Sequence, residues 1–153
     1  VVVAIMAMIA TLVTGAAIKS LRLSRRKRVE VMVRVLENGL VAYRTRENGW
    51  PFEPDKLTRA YDPNARDPIP IYRANGADNY KVFENLLSKM AKENILYLDP
   101  SALLVRGRKP LKTALKEGSF KLPLGYPDPD EPNNFKYFSV EYNQLTDSVK
   151  VLP

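Results

Sequence analysis

The side chains here that could do chemistry are carboxylates, amines, guanidiniums and phenols, because the 153-residue chain contains no cysteine and no histidine. Without cysteine there are no disulfides, thiol nucleophiles or zinc–thiolate sites. Without histidine the commonest general base, the usual serine triad and the HExxH metalloprotease pattern are gone. The seven glycines form no GxSxG, P-loop or GxGxxG motif. An enzyme would have to run on carboxylates, lysine or tyrosine alone, so the expectation is a protein that is not an enzyme. One segment, GYPDPDEPNN at 125–134, concentrates oxygen ligands: Asp128, Asp130 and Glu131, with Asn133 and Asn134 beside them. That is enough oxygen for Ca²⁺, but the regular ligand spacing and turn glycine of an EF-hand are missing. Asp and Asn next to proline are ordinary turn formers. The expectation is no cofactor, with calcium as the candidate to check.

The other charged constellation is a cation cluster. Lys19, Arg22, Arg25, Arg26, Lys27 and Arg28 account for six of the seven net positive charges. The rest of the chain, from residue 29 on, is close to neutral, which argues against nucleic acid as a partner, since that needs basic residues spread over a folded face. A basic patch next to an apolar helix suits lipid headgroups or acidic partner side chains. Such a helix does precede it: VVVAIMAMIATLVTGAAI, residues 1–18, carries no charge. At ~1.5 Å per residue it reaches ~27 Å, the edge of what spans a bilayer.

All twelve prolines lie at or after Pro51, so nothing breaks a helix before that point. Val29, Met32, Leu36, Leu40 and Tyr43 step by three or four and form one apolar stripe. The spacing predicts one helix over about 1–46, ~68 Å long, apolar all round in its first half and amphipathic in its second. Asn48-Gly49 and Pro51 should end it, with glycine in the left-handed cap. Gly15 is its one local weakness, a point to bend or to pack closely on a neighbour. Residues 51–78 are turn-rich and read as a surface loop. Asp78 or Asn79 should cap a second helix at about Tyr80–Glu93, with Phe83, Leu86, Leu87 and Met90 inward and a stop at Asn94. ILYL at 95–98 reads as a short strand, and 111–118 as a helical turn or two ended by Gly118. FKYFSVEY at 135–142 and SVKV at 148–151 alternate faces around NQLTD, predicting an antiparallel hairpin with Phe138, Val140 and Tyr142 inward. Those aromatics read as core, and Trp50 as packing where the helix exits. The class is α+β, divided into a hydrophobic half-helix at 1–23 and a head at 24–153.

Three ordinary readings of the apolar run compete. A signal peptide would be shorter and would follow its basic residues rather than precede them. A buried core helix does not fit, because the run has no polar face and the remaining domain is too small to wrap it. A single-span anchor fits, and the positive-inside rule would then place 19–28 and the domain in the cytoplasm.

The first 51 residues, from VVVAIMAMIATLVTGAAI through LENGLVAYRTRENGWP, also resemble the N-terminal helix of type IV pilins and type II secretion pseudopilins. In that family a peptidase-cleaved, N-methylated residue opens the apolar run. By the resemblance this chain begins inside the run, with the first few mature residues and a glutamate upstream of Val1. The lack of cysteine leans toward a pseudopilin, some of which bind calcium near the C-terminus. The resemblance implies a pilin-like head and a structural subunit of a pilus-like filament or secretion pseudopilus. Its partners would be copies of itself or other pilin-like subunits, prepilin peptidase and the assembly machinery. It would sit in the bacterial inner membrane as a monomer and then in a periplasmic or extracellular filament. Val1, Val2, Ile5, Met8, Ile9, Leu12, Gly15 and Ile18 would pack helices in membrane or filament, aided by small residues such as Ala4, Ala7 and Ala10. The basic patch of Arg22, Arg25, Arg26 and Arg28 would meet carboxylates of neighbouring copies, with Glu30, Glu37 and Glu47 as candidates. The alternative function is a single-span membrane protein with a cytoplasmic interaction domain.

Overall fold

A computed structural model of the chain describes residues 2–60 and 70–153. The protein is α+β: one long N-terminal helix, α1 (Val2–Glu47), carries a small head of two shorter helices and two antiparallel sheets. The helix runs unbroken for 46 residues, as the absence of proline predicts. Its end differs in detail. Asn48, not Gly49, adopts the left-handed conformation, with φ of 54°; asparagine tolerates that region because its short amide stabilises it locally.

The first sheet has the order β1-β2-β7-β8, built from β1 (Thr58–Arg59), β2 (Ile71–Ala74), β7 (Ser139–Asn143) and β8 (Ser148–Leu152). The expected hairpin is therefore present as β7–β8, with Val140 opposite Val151 and Tyr142 opposite Val149. The turn-rich stretch is not all loop. Ile71–Ala74 pairs with the free side of β7, setting Tyr72 opposite Tyr142, because an edge with unpaired N–H and C=O groups recruits any extended apolar segment within reach. Residues 61–69, in the middle of the predicted loop, lie outside the described residues.

The second sheet has the order β4-β3-β5-β6, from β3 (Leu104–Val105), β4 (Lys109–Pro110), β5 (Leu124–Pro127) and β6 (Phe135–Tyr137). The run 135–142, predicted as one strand, breaks at Phe138 and contributes β6 to one sheet and β7 to the other. Phe138 is fully buried at the joint. The 95–98 strand does not form. Tyr97 and Leu98 are buried while Leu96 is exposed; the segment finds no sheet edge and packs against α1 instead.

Helix α2 (Tyr80–Glu93) ends on Asn94 in the left-handed region, and α3 (Leu111–Lys116) precedes Gly118, both where the sequence puts them. Its predicted cap fails, however: neither Asp78 nor Asn79 caps α2 with its side chain. Asn79 is fully buried, and its amide donates to the carbonyls of Leu124 and Phe138 at 2.7 and 2.8 Å while accepting from Leu124 N at 2.9 Å. Unpaired carbonyls at the joint of two sheets cost more than a missing cap, so the amide is drawn inward.

The core joins all these elements: Met32, Leu36 and Leu40 from α1, Phe83, Leu86 and Leu87 from α2, Leu111 from α3, and Leu124, Phe138 and Val140 from the sheets. Helix α1 lies along the β8 edge of the first sheet, and Glu37 Oε1 accepts from Val151 N at 2.9 Å. That carboxylate satisfies an edge-strand donor that would otherwise be open.

Candidate membrane and assembly surface

Every residue from Val2 to Arg28 is solvent-exposed, and burial starts at Val29. Exposed side chains include Val2, Ile5, Met8, Ile9 and Ile18, and Leu12 is 74% exposed. Among the described residues one helix is thus long and apolar enough to cross a membrane, and none of its most apolar stretch is buried. Val1 lies outside the described residues. Up to Ile18 the polar side chains of this stretch are Thr11 and Thr14, and both are satisfied. Thr11 Oγ1 donates to the carbonyls of Ala7 and Met8 at 3.1 and 2.8 Å, and Thr14 Oγ1 to Ala10 O at 2.7 Å. Hydroxyls turned back onto the preceding turn can enter an apolar medium without an unmet hydrogen bond. A Cβ added at Gly15 would meet nothing within 4 Å, so no close contact among the described residues explains that glycine.

Directly above the bare apolar run stand the cations. Arg26 reaches back to the head, its guanidinium donating to Asp130 Oδ1 at 3.0 Å and Oδ2 at 3.2 Å. Among the described residues the other members of the cluster, Arg22, Arg25 and Arg28 with Lys19 and Lys27, have no ion-pair partner. Between this cluster and the head lies an open groove of about 440 Å³, floored by Val29 and Val33 and walled by Tyr126 and Pro129.

The calcium candidates do not converge. Asp128 is paired with Lys136 Nζ at 2.7 Å and accepts from Asp130 N at 3.0 Å. Those bonds, Lys136 first, hold its carboxyl below the ordinary range. Asp130 is taken by Arg26, and Glu131 accepts from the Asn134 amide. Among the described residues no three acidic side chains stand together as a metal site needs. The segment is a β5–β6 hairpin loop; Asp128 and Glu131 serve pairs within the hairpin, and Asp130 ties the loop to α1.

The carboxylates expected to serve neighbouring copies divide as well. Glu37 is spent on Val151 N. Glu47 accepts from Lys89 and from Tyr97 Oη, the latter at 2.7 Å, and these bonds, Lys89 first, lower its pKa. Glu30 is exposed on α1, with no ion pair among the described residues.

Sequence reasoning missed the clamp that fixes α1 in the head. Asp147, in the β7–β8 turn at φ of 48°, accepts from Trp50 Nε1 at 2.6 Å and Tyr142 Oη at 3.1 Å, and pairs with Arg44. Arg44 also lies over the Trp50 ring at 5.0 Å, and Trp50 stacks on Phe52. Trp50 does pack at the helix exit as expected, while Asp147 is visible in sequence only as a turn residue. At the same end of the helix Tyr43 and Tyr97 pack with ring centroids 5.1 Å apart.

No family model, curated protein or solved structure matches this chain.

Proposed function

We propose that the protein is a structural, non-enzymatic subunit that resides in the bacterial inner membrane through residues 1–18 and polymerises through the same surface into a pilus-like or pseudopilus-like filament. The observation that carries this reading is the stretch of α1 from Val2 to Ile18: apolar and uncharged on every side, covered by nothing among the described residues, and continuous with the helix on which the head is built. In the membrane, lipid covers that surface and the backbone is satisfied within the helix. In a filament, identical helices cover it. Lipid and a neighbouring helix are similarly apolar, so packing sets the register rather than water exclusion. Ala4, Ala7, Ala10, Gly15, Ala16 and Ala17 permit close approach, and a contact that does not close on itself yields an open helical polymer.

A second reading is favoured by one observation, the cluster at Lys19–Arg28 directly after the apolar run. Under the positive-inside rule it makes the protein a single-span anchor with a cytoplasmic head. The two readings separate on topology and assembly. Full-length protein in intact inner membrane is treated with external protease, and detergent-extracted protein is diluted and imaged by negative stain. The filament reading expects a head that is cut from outside and filaments that Leu12→Arg abolishes. A head protected from outside, with protein that stays monomeric, overturns it in favour of the anchor.

A further inference from the structure

The cations at the foot of the head are distributed in a way that selects their partner. At about 100° per residue, and taking Arg22 as zero, Lys19 falls at about 60°, Lys27 at about 140°, Arg28 at about 240° and Arg25 at about 300° around the helix axis. No gap around the helix exceeds about 100° even when Arg26, held by Asp130, is left out. The stripe that binds the head is different: Val29, Met32, Leu36 and Leu40 fall within about 80° of one another. A protein partner docks on one face of a helix, as this head does. Charges that encircle a helix suit a medium that surrounds it, and the medium next to an uncharged span is a layer of headgroups. The five cations without an ion pair among the described residues are all exposed, and residues 1–29 contain no acidic side chain. With Ile18 at the hydrocarbon edge, Lys19 and Arg22 stand within ~6 Å of that boundary and Arg28 at ~15 Å. The nearer ones lie among the phosphates, and the farthest within about two Debye lengths of it.

We propose that Lys19, Arg22, Arg25, Lys27 and Arg28 form a collar that gathers anionic phospholipid headgroups around the foot of the head. The inference rests on the membrane residence proposed above and adds a lipid class to it. The collar ties the level of the head to the phosphate plane. Its counter-charges must be left behind or replaced when a subunit leaves the membrane.

The test uses the full chain in vesicles of phosphatidylcholine with a spin-labelled trace of either phosphatidylglycerol or phosphatidylcholine, read by electron paramagnetic resonance. A spanning helix gives a motionally restricted lipid component. The collar predicts that phosphatidylglycerol is preferred in that component by about fivefold, the effect of ~1 kcal/mol for one retained headgroup charge. The preference should fall toward one in 0.5 M NaCl and in the exposed-site variant Arg22→Gln/Arg25→Gln/Lys27→Gln/Arg28→Gln. Equal restriction of both lipids, or a preference that survives salt and the four substitutions, overturns the collar and leaves membrane residence standing. No restricted component with either lipid overturns membrane residence itself.

Discussion

The two halves of α1 have the same secondary structure and opposite surroundings. From Val29 to Leu40 the helix buries one face: Leu36 and Leu40 are fully inaccessible, and Gly39 lies so close to Leu98 that an added Cβ would stand 2.9 Å from its Cβ. From Val2 to Arg28 it buries nothing. The packed half owes its stability to tertiary contact. The bare half has backbone hydrogen bonds, two threonine hydroxyls turned back onto them, one exposed ion pair at its head end and propensity, which in water are marginal for an isolated helix. The apolar half therefore needs an external apolar medium to be stable and soluble, and the head does not supply it.

The contrast is broken most sharply by matched leucines. Leu36→Ala should remove about 2–5 kcal/mol from the head, read as a lower urea midpoint in detergent, whereas Leu12→Ala should leave that midpoint where it is. A shift at Leu12 would mean that the bare half is covered by the head after all.

The two glycines sharpen it next. Alanine normally gains up to ~1 kcal/mol over glycine in a helix interior, and Gly15→Ala should show that gain as added helicity in lipid. Gly39→Ala should instead destabilise the head by about 1–3 kcal/mol, because its methyl meets Leu98. The thermal melt of the head should fall in Gly39→Ala and stay where it is in Gly15→Ala.

Acid should separate the halves too. Glu47, Asp128 and Asp147 all titrate below their ordinary values, through hydrogen bonds led by Lys89, Lys136 and Trp50 respectively. A depressed carboxyl adds stability above its unfolded pKa, near pH 4. That contribution is lost as pH falls through the lower folded value. The urea midpoint of the head should drop between pH 5 and pH 2, and Glu47→Gln should flatten the fall. Residues 2–29 contain no carboxylate, so membrane insertion should not follow the same curve.

The smallest effect is expected at the joint. Arg26 and Asp130 are both more than half exposed, so Arg26→Gln should change head stability by no more than about 1 kcal/mol.

Much of this architecture was legible in the sequence, for identifiable reasons. The length of α1, the span of α2 and the β7–β8 hairpin follow from proline placement and periodicity, which are local signals. What was not legible depends on partners distant in sequence. Ile71–Ala74 became a strand because β7 had a free edge, and 95–98 did not because Tyr97 and Leu98 pack against Tyr43 and Gly39 of α1. Asn79 was drawn from capping by two carbonyls 45 and 59 residues away, and Asp147 became a hub through residues 97 and 103 positions earlier. The bare apolar half was legible because composition alone marks it. The fates of Glu37 and Glu47 were not, because only the folded head shows that they are already engaged.

The central claim is that the bare half of α1 finds its final cover in copies of itself. The chain has no cysteine, so Leu12→Cys offers a single site for a spin label. In lipid-diluted protein the label should report an isolated helix. On assembly, strong spin–spin broadening between copies should appear, as helices packed about 8–10 Å apart require. A Leu12 label that stays lipid-exposed and unbroadened at every protein-to-lipid ratio, in samples that do form filaments, would contradict the account.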